Sequence, residues 1–280
     1  METTDIIKRI RKIEITTRNL VSELFSGEYH SLFKGQGLEF SEVREYQDGD
    51  IFKQIDWNVS ARIGHPFIKK FEETRELNVM FLVDTSASTL FGTQSFLKSE
   101  MITEVTAVLS FSALSNNDKV GCLLFSDEIE KYIPPRKGKK SALRILRDIL
   151  YCEPKSAKTN ISNAVEYIYR LIKKKSIIFI ISDFLDENFD ESLKLLAKKH
   201  DVIALRILDK AELILPNAGL LNLQDSETGD FFTVNSSSRV IREKYKKVAK
   251  QQELEIEARF KKMKIDLINL QTVRPYSIDL

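Results

Sequence analysis

Apolar and polar residues follow two different rhythms along this chain of 280 residues. From Leu77 onward, short uninterrupted apolar runs alternate with longer amphipathic stretches, the pattern of a mostly parallel sheet covered by helices on both faces. The runs predict strands over 77–83, 119–125, 128–133, 176–182, 202–207 and 265–271. Helical periodicity predicts helices over 94–114, 139–150, 161–174, 189–199 and 238–262. Ile177-Ile178-Phe179-Ile180-Ile181 is the clearest strand, being short and apolar throughout. Only Ser126-Asp127 separates the second and third strands, too little chain for a parallel crossover. That pair is expected as an antiparallel hairpin with its third strand at a sheet edge. Residues 211–235, with Pro216, Gly219 and the turn-like Ser226-Glu227-Thr228-Gly229-Asp230, are expected to form a β-hairpin excursion.

Upstream the rhythm changes. Residues 5–25 place Ile6, Ile10, Ile13, Leu20, Val21 and Leu24 on one helical face. Residues 26–76 carry glycines at 27, 35, 37, 49 and 64 and the single tryptophan, Trp57, among short apolar patches. They are read as a small β-rich or irregular subdomain. The domain expectation is therefore 1–76 for the N-terminal helix and small subdomain, and 77–280 for an α/β domain with an excursion at 211–235.

Composition narrows the function classes. A chain with 42% hydrophobic and 30% charged residues reads as an ordinary soluble globular protein. Its 43 basic and 41 acidic residues nearly cancel, which argues against nucleic acid or an anionic membrane as main partner. The basic clusters Arg136 to Lys140, Lys173 to Lys175 and Lys261 to Lys264 are short, scattered and read as solvated faces. Cys122 and Cys152 have no metal-ligand spacing and read as reduced core residues, while His30, His65 and His200 are isolated, which disfavours zinc. No window approaches the ~18 consecutive apolar residues of a membrane span. The polar start Met1-Glu2-Thr3-Thr4-Asp5 is unlike a signal peptide, so a cytoplasmic protein without membrane insertion is expected.

The candidate chemistry sits where predicted strands end. Asp84-Thr85-Ser86-Ala87-Ser88 follows the apolar run 78–83, and an acid with two hydroxyls spaced two apart can turn three oxygens toward one point. Oxygen ligands suit a hard divalent cation. Asp183 ends the fourth strand, and Thr159 lies in the polar loop Ser156-Ala157-Lys158-Thr159-Asn160 that enters a helix. In an open parallel sheet these carboxyl ends converge on a ligand crevice. Each of these residues has a second reading as a helix cap: Ser86 or Asp84 at the first loop, Thr159 or Asn160 at the second, Asp183 at the third.

The Asp-x-Ser-x-Ser motif, the loop threonine and the strand-end aspartate together resemble the metal-ion-dependent adhesion site of von Willebrand factor type A domains. Val43-Arg44-Glu45-Tyr46-Gln47-Asp48-Gly49-Asp50, Ile55-Asp56-Trp57 and Ser60-Ala61-Arg62 resemble the signature upstream of such a domain in the bacterial domain-of-unknown-function 58 family. Leu215 to Leu221 and Asp225 to Gly229 are similar to that family too. The resemblance implies a Rossmann-like von Willebrand factor A domain with strand order 3-2-1-4-5-6, one antiparallel edge strand and a Mg²⁺ or Mn²⁺ site on top of the sheet. Asp84, Ser86, Ser88, Thr159 and Asp183 would be its metal residues, and an open position would take an Asp or Glu carboxylate from a partner protein. Relatives are commonly encoded beside MoxR-type AAA+ ATPases, which implies a non-catalytic adaptor or chaperone-like role with such an ATPase or its client. Two departures stand out: Ala157-Lys158 precede the threonine where many such domains have glycines, and Thr89 follows the second serine where many have methionine.

Two further expectations complete the reading. Arg44, Asp50, Asp56 and Arg62 are expected to form an ion-pair network around a packed Trp57, with a partner-docking surface as the alternative. The competing function is a Mg²⁺-dependent phosphatase or phosphotransferase with Asp84 as nucleophile. Against it, Ser86 stands where a second aspartate would serve as general acid, and no phosphate-binding Gly-x-x-x-x-Gly-Lys-Ser/Thr loop occurs.

Overall fold

The computed structural model describes residues 13, 38–47, 50, 52, 55–73, 76–93, 97–224 and 229–272. They fall into two compact units, Gly27–Leu77 and a larger one formed by Met1–Ser26 with Asn78–Leu280. The helix expected over 5–25 lies outside the described residues apart from Ile13, which is buried with Ala107 and Leu146 of the larger unit.

In the small unit, β1 (Leu38–Glu45) pairs antiparallel with β2 (Phe67–Glu73), its register shifting between Phe40 and Glu42. Between them lies α1 (Trp57–Ile63), which the sequence reading left irregular. Asp56 starts it by accepting the Asn58 and Val59 N–H groups, and Gly64, at φ +87°, ends it by donating to the Ser60 carbonyl. Of the expected network the structure describes one ion pair, and the packed tryptophan is corrected. Arg44 does pair with Asp50 at 2.7 Å, but Asp56 is a helix cap and Arg62 is exposed. Trp57 is 61% exposed and meets the edge of the similarly exposed Phe52, with ring centroids 5.7 Å apart. It stands in the first turn of a short helix that buries no residue, so it has no core to enter.

The larger unit is built on one sheet of six strands: β3 (Asn78–Asp84), β4 (Lys119–Phe125), β5 (Ile129–Arg136), β6 (Ile177–Ser182), β7 (Asp201–Leu208) and β10 (Asp266–Gln271). Their order is β10-β7-β6-β3-β4-β5, and all pairs are parallel except β4 with β5. Counted within the sheet this is 3-2-1-4-5-6, the implied von Willebrand factor A topology. Pro134 and Pro135 lie on β5, an edge strand, where its register with β4 shifts between Val120 and Cys122. Gly121 in β4 marks a close approach: a Cβ there would stand 2.5 Å from Met80 Sδ and 2.8 Å from the Ile133 carbonyl oxygen.

The strands read as continuous apolar runs because helices cover both faces. Met80, Leu82, Leu123, Ile178 and Ile180 pack against α4 (Ile161–Leu171), α5 (Asp190–Lys199) and α7 (Arg239–Met263). Helices α2 (Lys98–Ser115) and α3 (Lys139–Leu150) lie on the face of Val83. Helix α4 stops three residues earlier than periodicity predicts. Lys199 Nζ takes the carbonyl of Ile172 at 2.6 Å, a cation at a helix C-terminus. After β7 a single helical turn, α6 (Lys210–Leu213), precedes the expected hairpin, whose antiparallel strands are β8 (Leu220–Gln224) and β9 (Phe231–Asn235).

Candidate metal centre

Because β3 and β6 are parallel neighbours, their carboxyl ends bring Asp84 and Asp183 to one edge of the sheet. Ala87 N–H donates to the Ala157 carbonyl at 3.1 Å, tying the first loop to the threonine loop. All five predicted residues thus lie on three neighbouring loops at the carboxyl edge.

Their hydrogen bonds separate capping from other uses. Ser86 occupies the N-cap position of the 3₁₀ turn Ala87–Leu90, yet makes no side-chain cap bond. Its hydroxyl instead lies 3.1 Å from Ser88 Oγ. Thr89 fixes the turn by donating Oγ1 to the Ser86 carbonyl at 2.7 Å, which a methionine could not do. The cap of α4 is Asn160, whose Oδ1 accepts Asn163 N–H, so Thr159 has no capping duty. Thr159 Oγ1 is buried with no hydrogen-bond partner among the described residues. A buried hydroxyl left unmatched costs roughly 1–3 kcal/mol.

Asp84 is buried and fully engaged. Oδ1 accepts Ser86 N–H at 2.9 Å and Oδ2 accepts Ser182 Oγ at 2.6 Å. Burial, reinforced by the negative charge of Asp183, pushes its carboxyl up to about 7 against the pull of those hydrogen bonds. A cavity of about 140 Å³ opens beside it, lined by apolar side chains such as Val83, Ile102 and Ile149 together with Thr85, Glu100 and Thr103.

Asp183 is no helix cap either; its Oδ1 accepts Leu185 N–H at 3.3 Å and its carbonyl accepts Arg206 Nε at 3.1 Å. The next residue, Phe184, adopts φ +57°, an uncommon conformation for a bulky side chain. It is held there by its N–H bond to Ser182 Oγ and by ring contacts with Phe189 and Phe260 at 5.9 and 5.0 Å. Packing energy from the core thereby fixes the backbone that presents Asp183.

Sequence reasoning missed three participants. Ser182 orients Asp84, and it was visible as a hydroxyl beside the strand-end acid. Lys98 Nζ reaches Asp183 Oδ2 at 3.3 Å from inside the protein, and Glu212 of α6 is its other partner. Asp209 and Glu212 form a capping box at α6, a spacing that was legible. Lys158, the departure closest to the threonine, is exposed. Among the described residues no three His, Cys, Asp or Glu side chains are grouped to hold a metal. Any ion here would rest on two carboxylates and three hydroxyls. That all-oxygen set, with a buried hydroxyl unpartnered among the described residues and a carboxylate destabilised by burial and by its neighbour's charge, fits a hard divalent cation.

Comparison with known proteins places the chain. The uncharacterized protein Rv1480 of Mycobacterium tuberculosis is 30% identical over 223 residues, covering 79% of this chain and 70% of that one. The uncharacterized protein YeaD of Bacillus subtilis is 32% identical over 113 residues, 40% of this chain and 26% of its own. A solved structure, the conserved hypothetical protein BatB from Bacteroides thetaiotaomicron, aligns with a TM-score of 0.45 at 17% identity, covering 72% of this chain and 93% of that one. The model of the family described as "Protein of unknown function DUF58" matches residues 42–255, and the chain belongs to that family.

Proposed function

We propose that this protein is a non-catalytic, metal-dependent protein-binding module. Asp84, Ser86, Ser88, Thr159 and Asp183 would hold Mg²⁺ or Mn²⁺ at the carboxyl edge of the sheet. When bound, the ion would supply a Lewis-acidic position that accepts an Asp or Glu carboxylate of a partner protein. The partner proposed is a MoxR-type AAA+ ATPase or its client, with this chain as adaptor.

The observation that carries the reading is Thr159 Oγ1, buried and without a hydrogen-bond partner among the described residues, on the loop bonded to the first candidate loop. A helix-capping loop has no use for it, since Asn160 already caps α4. The Ser86–Ser88 hydroxyl pair and the Asp84–Asp183 carboxylates add a consistent donor set. The alternative, Asp84 as a phosphoryl-accepting nucleophile, is disfavoured: its carboxylate is buried and both oxygens already accept hydrogen bonds.

Affinity capture from the native cell tests the proposal, using the full chain as bait in Mg²⁺ or EDTA beside Asp84→Ala. A partner retained in Mg²⁺, released by EDTA and absent with Asp84→Ala is expected. Retention unaffected by EDTA would overturn the mechanism, and metal-dependent phosphate release abolished by Asp84→Asn would favour the enzyme.

A further inference from the structure

The first turn of α2 holds a lysine where a solvated side chain is the rule. Lys98 is 1% exposed, and its ammonium bridges Asp183 Oδ2, at 3.3 Å, and Glu212 Oε1. Glu212 is itself fixed from the other side, its Oε2 accepting Asp209 N–H at 2.8 Å. Lysines this deeply buried are almost always paired. Here one partner is a carboxylate of the proposed metal set and the other lies on the turn that leads to the β8–β9 excursion.

We infer that Lys98 is an internal counter-cation that competes with the divalent ion for Asp183 and so sets the affinity of the metal site. The inference rests on the metal reading above and specifies its regulation. A doubly charged ion that recruits Asp183 meets a positive charge already on that carboxylate, in surroundings where burial limits screening. The ammonium need not be stranded when Asp183 turns to the metal, because Glu212 is already in contact with it. Metal affinity is therefore linked to Glu212: what holds Glu212 on Lys98 favours the ion, and what removes it returns the ammonium to Asp183 alone. The linkage is reciprocal, so metal binding would tighten the Lys98–Glu212 contact.

Mn²⁺ titration calorimetry on the full chain tests this, with melting temperatures in EDTA measured in parallel. Lys98→Met should bind Mn²⁺ about tenfold tighter or more. Its EDTA melting temperature should fall, because Asp183 and Glu212 lose their common partner. Glu212→Gln should bind Mn²⁺ more weakly than the native protein. Equal or weaker binding by a folded Lys98→Met would reduce Lys98 to a structural ion pair and overturn the inference. Should Lys98→Met fail to fold, Glu212→Gln decides alone, and affinity equal to or above native overturns it. No Mn²⁺ uptake by the native protein removes the metal reading and this inference together, a result distinct from equal uptake by native and variant.

Discussion

At the carboxyl edge of the sheet Asp84, Asp183 and Asp209 are buried, and every one accepts hydrogen bonds from groups that are themselves fixed by the fold. In the small unit the Arg44–Asp50 pair, the Asp56 cap and Trp57 use the same residue types at or near the surface. The difference is one of environment. A buried carboxylate must be matched by donors or a cation, and removing it strands them. An exposed pair exchanges protein contacts for water at little net change, so the median surface salt bridge is worth about 0–1 kcal/mol. Burial at the sheet edge turns a set of polar side chains into a coupled device. Exposure lets the Arg44–Asp50 pair exchange its contact for water.

The largest effect is expected at Asp209, which is fully buried. Its Oδ1 accepts Thr93 Oγ1 and Ala211 N–H, and its Oδ2 accepts Thr93 N–H and Thr272 Oγ1. Asp209→Ala leaves four donors without their acceptor and should lose about 3 kcal/mol or more in urea unfolding. A loss below about 1 kcal/mol would erase the contrast between the two regions, because it would match what a surface pair contributes.

Next in size is a pH effect from another buried polar group of the large unit. His200 is 2% exposed and neither ring nitrogen has a partner among the described residues. Burial, helped by Lys199 and opposed by Asp201, holds its imidazole down to about 4. The folded protein therefore keeps His200 neutral while the unfolded chain protonates it below about 6.5. Its contribution is complete above that value and is lost as pH falls toward 4, by up to ~3 kcal/mol. Asp209 acts in the same direction. Burial raises its carboxyl, but the Thr93, Ala211 and Thr272 bonds outweigh that and hold it below its ordinary value, so its share is lost only at lower pH. Urea midpoints at pH 7 and pH 4.5 should fall less for His200→Leu than for the native chain. Equal falls would assign the acid lability elsewhere.

These same regions show what a sequence can disclose. Strand β4 and helix α3 were legible to the residue, because a short apolar run and a clean amphipathic period each point to one element type. The β4–β5 hairpin followed from a very short connection, and the gathering of the candidate residues at one edge from their places at strand ends. Helix α2 was legible as a helix but not in its role. It is buried on most sides, including Lys98, and a lysine in a helix reads as solvent-facing until tertiary structure gives it partners. The positive φ of Phe184 was hidden for the same reason: only the Phe189–Phe260 cluster makes it tolerable. Helix α1 escaped because Asp56 reads as an ion-pair partner and Gly64 as one of the glycines of an irregular segment, whereas they are its two caps. Trp57 was read from the habit of its residue type, which says little about a seven-residue helix with no buried face.

The smallest effect is expected at Trp57, whose surroundings fluorescence reads directly. It is the single tryptophan of the chain, so its emission reports one position. At 61% exposure the native protein should emit at the wavelength of water-exposed indole and be quenched readily by acrylamide. Trp57→Phe should change stability by no more than about 0.5 kcal/mol, the range of surface substitutions away from special features. Blue-shifted, protected emission would mean that Trp57 is covered, and the small unit would then belong with the sheet edge as a region whose polar residues depend on burial. Exposed emission with unchanged stability would leave interaction as the remaining use of this side chain, since a tryptophan held in water contributes its apolar area only when something comes to cover it.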